Sequence, residues 1–266
     1  MSYLISNNNF FNQMLKRLEL SNPRKIGKLT LGKEILFCAP VTKINSKVER
    51  KILQYSKNGE VDIYEVRYDY FVSKNVRISK VLEFFKSNQV PYIFTFRSKE
   101  EGGKSHSTDK DRIAVFYEAL DYEPAMVDIE YKSLSKNEEF KSLVKEIKKA
   151  SALILSYHNF YTTLNLRNLK EIAVSCFKEN PDVIKIATLN RTFKDLLILM
   201  QLSYWMRKTF KIPQVVIGMG RIGAISRIMT SLLGSDIIYV KLFERTAKGQ
   251  PNIEQIKLLF KILESL

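Results

Sequence analysis

Lys185 places an amine inside an apolar run, residues 183–187, that is predicted to form a buried strand. A buried ammonium group is unfavourable by several kcal/mol unless it is paired with an anion or gives up its proton. A neutral amine is a nucleophile that attacks ketones. His158, one of only two histidines in the chain, ends the preceding apolar run. The two residues are therefore a candidate nucleophile and base for chemistry on a carbonyl compound.

A second lysine shows why this placement is not sufficient evidence. Lys241 also interrupts an apolar run, residues 237–241. Lysine side chains commonly extend along apolar surface and carry the ammonium group to the rim. The choice between a rim residue and a reactive amine therefore depends on the residues that surround Lys185.

Eight short apolar segments recur along the chain, and stretches with helical periodicity separate them. The predicted strands are residues 34–41, 61–67, 92–97, 125–130, 152–157, 183–187, 214–219 and 236–242. Alternating strands and helices predict a parallel sheet. Eight such units in a chain of this length are typical of an α/β fold of the (β/α)8 TIM barrel type.

The residues ahead of the first barrel strand are predicted to form two further elements. Residues 25–32 resemble a small hairpin that closes the barrel floor, and a helix is predicted over residues 10–20. No low-complexity stretch divides the rest of the chain. We therefore expect an N-terminal extension, residues 1–24, and a single catalytic barrel domain, residues 25–266.

Polar side chains gather at the carboxyl ends of the predicted strands, the face on which TIM barrels carry their active sites. Residues at these ends or just beyond them are Arg67, Asp69, Arg97, Glu101, Glu130, His158, Lys185, Arg227 and Gln250. Because parallel strands end on one face, side chains far apart in the sequence are expected to converge there. The barrel mouth is the candidate site.

Residues 218–223, Gly-Met-Gly-Arg-Ile-Gly, match the spacing of a dinucleotide-binding loop. That loop normally opens a doubly wound fold and is followed by an acidic residue at the end of the next strand, whereas Asp236 begins the next strand here. We interpret the motif as the seventh barrel loop. Arg227, one helical turn beyond it, is then either an anion-binding residue or an ordinary surface residue of the helix.

Composition limits the classes of partner. The net charge of +15 allows a nucleic-acid partner, but the basic residues are spread along the chain without a recognised nucleic-acid-binding motif. No apolar run approaches the ~20 residues of a membrane span, and no secretion signal is recognisable. Two widely separated cysteines indicate a reducing cytoplasm rather than a disulfide framework. A diffuse basic surface also suits a small anionic substrate.

Six short segments resemble the type I 3-dehydroquinate dehydratases, Schiff-base-forming enzymes of the shikimate pathway of aromatic amino acid biosynthesis. They are residues 65–69 (Glu-Val-Arg-Tyr-Asp), 95–103 (Thr-Phe-Arg-Ser-Lys-Glu-Glu-Gly-Gly), 156–160 (Ser-Tyr-His-Asn-Phe), 185–187 (Lys-Ile-Ala), 223–227 (Gly-Ala-Ile-Ser-Arg) and 249–250 (Gly-Gln). Each segment is short, but their order and spacing make the resemblance specific.

The resemblance implies catalytic roles for three residues. Lys185 corresponds to the lysine that condenses with the ketone of 3-dehydroquinate, giving an iminium that withdraws electrons. His158 corresponds to the general base that removes the adjacent proton and then protonates the departing hydroxyl. Glu101 corresponds to the carboxylate that orients this histidine. The implied reaction is a syn elimination that needs no metal and no organic cofactor.

The resemblance also implies a substrate-binding set: Glu65, Arg67, Arg97, Arg227, Thr246 and Gln250. Arg227 and Gln250 correspond to contacts with the substrate carboxylate, which a planar guanidinium suits. Glu65, Arg67 and Arg97 correspond to positions that address the ring hydroxyls and the local charge balance.

Structural roles are the alternative for part of this set. Glu65, Arg67 and Asp69 are equally compatible with an ion-pair network that braces the barrel mouth. Asp128 and Glu130 are expected to lie behind the residues that contact the substrate. Both assignments depend on geometry that the sequence does not contain.

Four positions depart from the family pattern or have no counterpart in it. Thr246 replaces the usual serine of the loop over the site and keeps a hydroxyl, and Lys248 replaces a proline. Cys38 stands where the family often has serine at the end of the first strand, and its role is open. His106 has no counterpart and is expected to be a surface residue.

The predicted function is therefore dehydration of 3-dehydroquinate to 3-dehydroshikimate by a homodimeric enzyme that binds neither nucleic acid nor membrane. Another Schiff-base barrel, of the aldolase or transaldolase type, is the alternative enzyme; it would keep Lys185 without requiring His158, Arg227 and Gln250 together. A basic nucleic-acid-binding protein on an inactive barrel is the alternative outside enzymes.

Overall fold

Eight parallel strands form the centre of the molecule in a computed structural model that describes residues 17–243 and 250–264. The strands are Leu36–Val41 (β3), Ile63–Arg67 (β4), Tyr92–Thr95 (β5), Met126–Glu130 (β6), Ala152–Asn159 (β7), Val183–Leu189 (β8), Gln214–Met219 (β9) and Ile237–Tyr239 (β10). They pair in the order β10-β3-β4-β5-β6-β7-β8-β9 and curve into a nearly closed barrel. The predicted (β/α)8 fold is confirmed.

Helices follow the strands and cover the outside of the barrel. They are Ser46–Lys57 (α1), Asp69–Val72 (α2), Ile78–Ser87 (α3), Asp109–Leu120 (α4), Tyr131–Lys136 (α5), Glu138–Ala150 (α6), Leu166–Lys178 (α7), Phe193–Phe210 (α8), Gly220–Leu232 (α9) and Ile253–Glu264 (α10). In α3 the buried residues Ile78, Val81, Leu82 and Phe85 recur at helical spacing and form one apolar face. Within the part of the chain that the structure describes, no helix is both long and apolar enough to cross a membrane.

Side chains alternate along each strand between the barrel interior and the helices, because successive residues of a strand point to opposite faces. On β4, Ile63 belongs to the inner apolar cluster, whereas Tyr64 and Val66 belong to the outer cluster under the helices. Glu65 and Arg67 follow Ile63 at intervals of two and line the mouth. This period of two determines which residues can reach the site.

The inward residues change from apolar to polar along the strands. The first inward residues are apolar on every strand: Leu36, Ile63, Ile93, Met126, Ile154, Val183, Val215 and Ile237. The next ones are mainly polar: Cys38, Glu65, Thr95, Asp128, Ser156, Lys185, Ile217 and Tyr239, all with at most 7% of their surface exposed. An apolar base therefore supports a buried polar interior.

An antiparallel hairpin packs against this apolar base. Its strands are Arg24–Ile26 (β1) and Leu29–Leu31 (β2), and Leu29 and Leu31 are buried within the inner apolar cluster. The predicted hairpin at the barrel floor is thus present.

Only the end of the predicted N-terminal helix falls within the described residues. Residues 1–16 lie outside the described residues, and residues 17–20, at the end of the predicted helix, are not helical. Instead, the Arg17 guanidinium pairs with Asp236 at 2.6 Å, and the backbone N–H of Leu20 donates to the Gly32 carbonyl at 2.7 Å. These contacts hold the segment against the barrel.

The glycine motif of residues 218–223 joins β9 directly to α9. A Cβ atom at Gly223 would lie 2.4 Å from the carbonyl carbon of Gly218, so the helix approaches the strand more closely than any side chain allows. Gly220 adopts φ of +88° at the turn. The glycines therefore serve the seventh strand-to-helix connection of a barrel, as interpreted from the sequence.

Candidate active site

Lys185 is buried on β8 and is compensated by two carboxylates. Its Nζ lies 3.1 Å from Glu65 Oε1 and 2.9 Å from Asp128 Oδ2, and it donates a third hydrogen bond to Tyr239 Oη at 3.0 Å. Only 4% of the residue is exposed. Lys185 is therefore not a rim residue, and pairing is what makes its burial tolerable.

Asp128 is absent from the pocket lining and contacts the buried end of Lys185, which agrees with its expected place behind the pocket residues. Its Oδ2 accepts from Lys185 and from Arg97 Nη2 at 2.8 Å, while Ser156 Oγ donates to Oδ1 at 2.6 Å. Burial raises the pKa of Asp128, but the charges of Arg97 and Lys185 outweigh burial and hold that pKa well below its usual range. Asp128 is therefore an ionised partner of Lys185.

His158 is oriented by Glu101, as the resemblance implies. Glu101 Oε2 lies 2.8 Å from His158 Nδ1 and accepts the backbone N–H of the same histidine at 3.0 Å. Because Oε2 is an acceptor, it favours the imidazole tautomer that carries its proton on Nδ1, which leaves Nε2 as an acceptor. The arrangement is that of a general base held in a fixed orientation.

Burial shifts the pKa values of this pair in opposite directions. It lowers the pKa of His158 well below 6.5, with Arg97 and Lys185 acting in the same direction. It raises the pKa of Glu101 to about 8, and the negative charge of Glu130 adds to the effect. Both residues are therefore biased toward their uncharged forms, which keeps the imidazole available as a base.

One cation outside the pocket acts on the pair. Lys132 Nζ, on a side chain that is 40% exposed, lies 3.7 Å from Glu101 Oε1. That oxygen has no hydrogen-bond partner among the described residues. The positive charge lowers the pKa of Glu101 against the larger effect of burial. Lys132 is a residue that the sequence did not single out.

Glu130 braces the loop that carries Glu101. Its Oε1 accepts the backbone N–H of Ser98 at 2.7 Å, and its Oε2 accepts from Arg112 Nη2 at 2.8 Å. Arg97 Nη1 lies 3.4 Å from Glu130 Oε1. Glu130 thus takes the supporting position that the sequence predicted for it.

Arg67 and Asp69 form the ion-pair network that the sequence left as an alternative. Arg67 Nε and Nη2 donate to the two oxygens of Asp69 at 2.8 and 2.9 Å, a bidentate geometry. The backbone N–H of Lys104 donates to the same carboxylate at 3.0 Å. Arg67 nevertheless lines the pocket. Its position is compatible with both bracing and substrate contact.

Arg227 extends from α9 into the pocket, and it differs electrostatically from the other arginines there. It is 3% exposed, and its Nε has no hydrogen-bond partner among the described residues. Burial lowers its pKa to about 10. A buried guanidinium that forms no ion pair within the described part of the chain is suited to bind an anion.

A pocket at the barrel mouth contains these groups. Predicted residues in its lining are Glu65, Arg67, Arg97, Glu101, His158, Lys185, Arg227 and Gln250. Gln250 is 2% exposed, and its Nε2 donates to the Val240 carbonyl at 3.0 Å. Thr246 and Lys248 lie outside the described residues. Over the described ranges, no group of three His, Cys, Asp or Glu side chains could hold a metal ion.

A model of the type I 3-dehydroquinase family matches residues 37–266, from the first barrel strand to the last helix. The chain belongs to this family. The 3-dehydroquinate dehydratase of Thermococcus onnurineus is 34% identical over 219 residues, which cover 82% of this chain and 95% of that protein. The protein is thus an enzyme of the 3-dehydroquinate dehydratase type, as the sequence segments indicated.

Solved structures show the same architecture. The 3-dehydroquinate dehydratase of Geobacillus kaustophilus superimposes with a TM-score of 0.82 at 22% identity, covering 94% of this chain and 98% of that one. The enzyme from Aquifex aeolicus gives a TM-score of 0.68 at 28% identity, covering 87% of this chain and 100% of that one. The barrel is therefore the family fold over nearly the whole chain.

Tyr239, Ser156 and Lys132 are among the residues that contact Lys185, Glu101 or their partners and that sequence reasoning missed. Tyr239 and Ser156 occupy inward positions of their strands, two residues beyond an apolar inward residue. The same period of two that identifies Glu65 and Lys185 would have identified them. Lys132 follows a strand end and carried no such signal.

Proposed function

We propose that the protein dehydrates 3-dehydroquinate to 3-dehydroshikimate through a Schiff base on Lys185, with His158 as general acid and base. The observation that carries the proposal is the juxtaposition, in one pocket, of a buried lysine and a histidine held by a carboxylate. A chain that belongs to the type I 3-dehydroquinase family and has these two groups at its barrel mouth is suited to this reaction.

The chemistry requires an amine, a mobile base and a site for the departing hydroxyl. Condensation of Lys185 Nζ with the ketone forms a C=N bond and releases the carbonyl oxygen as water. The iminium acidifies the neighbouring C–H bond, whose proton passes to His158 Nε2. The resulting enamine expels the hydroxyl, which takes a proton from His158 and leaves as water. Hydrolysis of the conjugated iminium then restores Lys185.

Arg227 is proposed to anchor the substrate carboxylate, together with Gln250 and Thr246. The support is its burial in the pocket, where no carboxylate among the described residues forms an ion pair with it. Arg97 is held by Asp128 and Ser156, and we assign it to the charge balance around the nucleophile. Glu65 and Arg67 are assigned to the ring hydroxyls, because both line the pocket beside Lys185.

Other Schiff-base barrels, such as aldolases and transaldolases, share the need for a buried lysine. They do not require a histidine and glutamate pair, nor an anion-binding arginine at this position. Family membership and these two features favour the dehydratase. A nucleic-acid-binding function would not need a pocket with these groups.

We further propose that the enzyme acts in the cytoplasm as a homodimer, without a metal or organic cofactor, and that residues 25–266 form one catalytic unit after an N-terminal extension. Both cysteines, Cys38 and Cys176, are free and buried in the structure. This supports a reducing compartment. Shikimate-pathway biosynthesis is the corresponding context.

The test combines activity with covalent trapping. The wild-type protein is incubated with 3-dehydroquinate, product is followed by its enone absorbance, and the imine is reduced with borohydride before peptide mass analysis. We expect an adduct on Lys185 and no adduct or turnover in Lys185→Met. Lys241→Met, the same substitution at the other lysine that interrupts an apolar run, should remain active.

His158→Ala should still form an adduct that borohydride traps but should not release product. Full turnover by that variant would remove the assignment of His158 as the base.

A further inference from the structure

Tyr239 is a buried phenol in contact with the proposed nucleophile, and the reaction described above gives it no role. It lies on β10, and its Oη accepts a hydrogen bond from Lys185 Nζ at 3.0 Å. The same hydroxyl lies 3.4 Å from Glu65 Oε1, which is itself 3.1 Å from Nζ. Nζ, Oη and Oε1 thus form a closed triangle at the inner end of the pocket.

Imine formation requires protons to travel from nitrogen to oxygen. A lysine ammonium carries three protons, and the iminium nitrogen retains one. The other two must reach the carbonyl oxygen, which departs as water. His158 is already assigned to the C–H proton in the proposed reaction, and its Nδ1 lies 2.8 Å from Glu101 Oε2. The groups in contact with Nζ are therefore the candidates for this separate proton transfer.

We propose that Tyr239 relays protons between Lys185 Nζ and the substrate carbonyl oxygen during imine formation, and in the opposite direction during imine hydrolysis. The inference rests on the proposed Schiff base at Lys185. Glu65 is the partner that stores one proton in this relay. Tyr239 is thereby a catalytic residue, since its hydroxyl touches the reacting nitrogen.

The steps balance as follows. Lys185 passes one proton to Glu65, and the neutral amine attacks the carbonyl carbon, forming a C–N bond and an alkoxide. Tyr239 donates its proton to the alkoxide and regains one from the attached nitrogen, which gives a neutral carbinolamine. The C–O bond then breaks as the nitrogen lone pair forms C=N, and the hydroxyl leaves as water with the proton stored on Glu65, delivered through Tyr239.

The surroundings keep the phenol in its donor form. Burial raises the pKa of Tyr239 well above 10, and the negative charge of Glu65 adds to this. Cys38, which is paired with Tyr239 in the strand register, also has its pKa raised by burial. Its thiol therefore stays protonated and does not compete as a base. A phenylalanine would fill the same space but provide no hydroxyl.

The experiment isolates imine formation from the later steps. His158→Ala is the parent, and Tyr239→Phe is added to it. Adduct formation on Lys185 is followed in time by borohydride quenching over a range of 3-dehydroquinate concentrations. We expect the maximal trapping rate to fall about 100-fold, within the range of general acid–base contributions. The substrate concentration that gives the half-maximal rate should change little.

Tyr92→Phe in the same parent is the matched control. Tyr92 is also a buried strand tyrosine, but its hydroxyl donates to the Tyr122 carbonyl at 2.9 Å, away from the pocket. Its variant should trap at the parental rate. Trapping of the Tyr239→Phe variant at the parental rate would overturn the relay. Absence of any adduct in the parent and in the wild-type protein would instead overturn the Schiff base itself.

Oxygen exchange provides a second measurement that does not depend on borohydride. In H₂¹⁸O, reversible imine formation replaces the ketone oxygen of the substrate, and this exchange should slow by the same factor in the Tyr239→Phe variant. Exchange at the parental rate would contradict the relay, even if overall stability had changed.

Discussion

Substitution of Arg227 should change two measurable properties in opposite directions: it should raise the stability of the protein and weaken substrate binding. Its guanidinium is buried, its Nε lacks a partner among the described residues, and burial lowers its pKa from the usual arginine value to about 10. At 1.36 kcal/mol per pKa unit, this corresponds to an unfavourable free energy of about 3 kcal/mol for the folded, charged form. The penalty is fully present below pH 10 and disappears as the pH rises toward 12.5.

Arg227→Met should therefore stabilise the substrate-free protein at pH 7. Methionine retains much of the packing and carries no charge, so we expect the free energy of unfolding to rise by about 1–3 kcal/mol. The same variant should bind substrate worse, because each charge-assisted hydrogen bond to the carboxylate contributes about 1.5–3 kcal/mol. With two such bonds lost, KM should rise about 100-fold or more, and kcat should fall less.

The assays are chemical denaturation without substrate and steady-state kinetics at pH 7. Arg112→Met is the contrasting variant for stability, since Arg112 is equally buried but paired with Glu130 at 2.8 Å. Removing one partner of a buried pair should destabilise the protein by about 3–5 kcal/mol. If Arg227→Met is less stable than the wild-type protein, the charge of Arg227 does not destabilise the folded state. If KM is unchanged, Arg227 does not contact the substrate carboxylate.

Two further substitutions test the pair formed by His158 and Glu101, and the packing of the barrel. Lys132→Met removes a charge that favours ionised Glu101, so the pKa of Glu101 should rise by about 0.5 unit, as expected for a partly exposed ion pair. NMR titration of the Glu101 carboxyl group measures this shift, and a pKa that stays in place or falls contradicts the effect of Lys132 on Glu101. Gly223→Ala would force a Cβ atom to within 2.4 Å of Gly218, so thermal denaturation should show a loss of about 1–3 kcal/mol, and an unchanged melting temperature would argue against the close contact of helix and strand.

The barrel and most of its mouth could be predicted from sequence because both follow from regular patterns. Apolar segments alternate with amphipathic helices, so strand positions and the parallel sheet were recognisable. Lys185 and His158 stand at inward positions near strand ends, where barrel enzymes carry their chemistry. Their proximity then follows from the pairing of β7 with β8, in which Ser156 is aligned with Lys185.

The partners of Lys185 were harder to predict, since they come from distant strands. Asp128 is separated from Lys185 by 57 residues and Tyr239 by 54, and no local pattern connects them. An ion pair with a protein carboxylate also determines whether an arginine has a structural role, as in the bidentate contact between Arg67 and Asp69. Such choices depend on side-chain geometry that periodicity does not encode.

The alternation of inward and outward residues has a consequence for how this sequence can change in length. Deleting one residue within β8 would exchange its two faces, so that Lys185 would turn toward the helices and Ile184 or Ile186 toward the pocket. The same holds for each strand that supplies a polar inward residue. Insertions and deletions should therefore be tolerated in the connecting loops, whereas within the strands they should abolish activity. If a library of single-residue deletions is selected for activity, we expect the surviving deletions to fall in the loops and none to fall within the barrel strands.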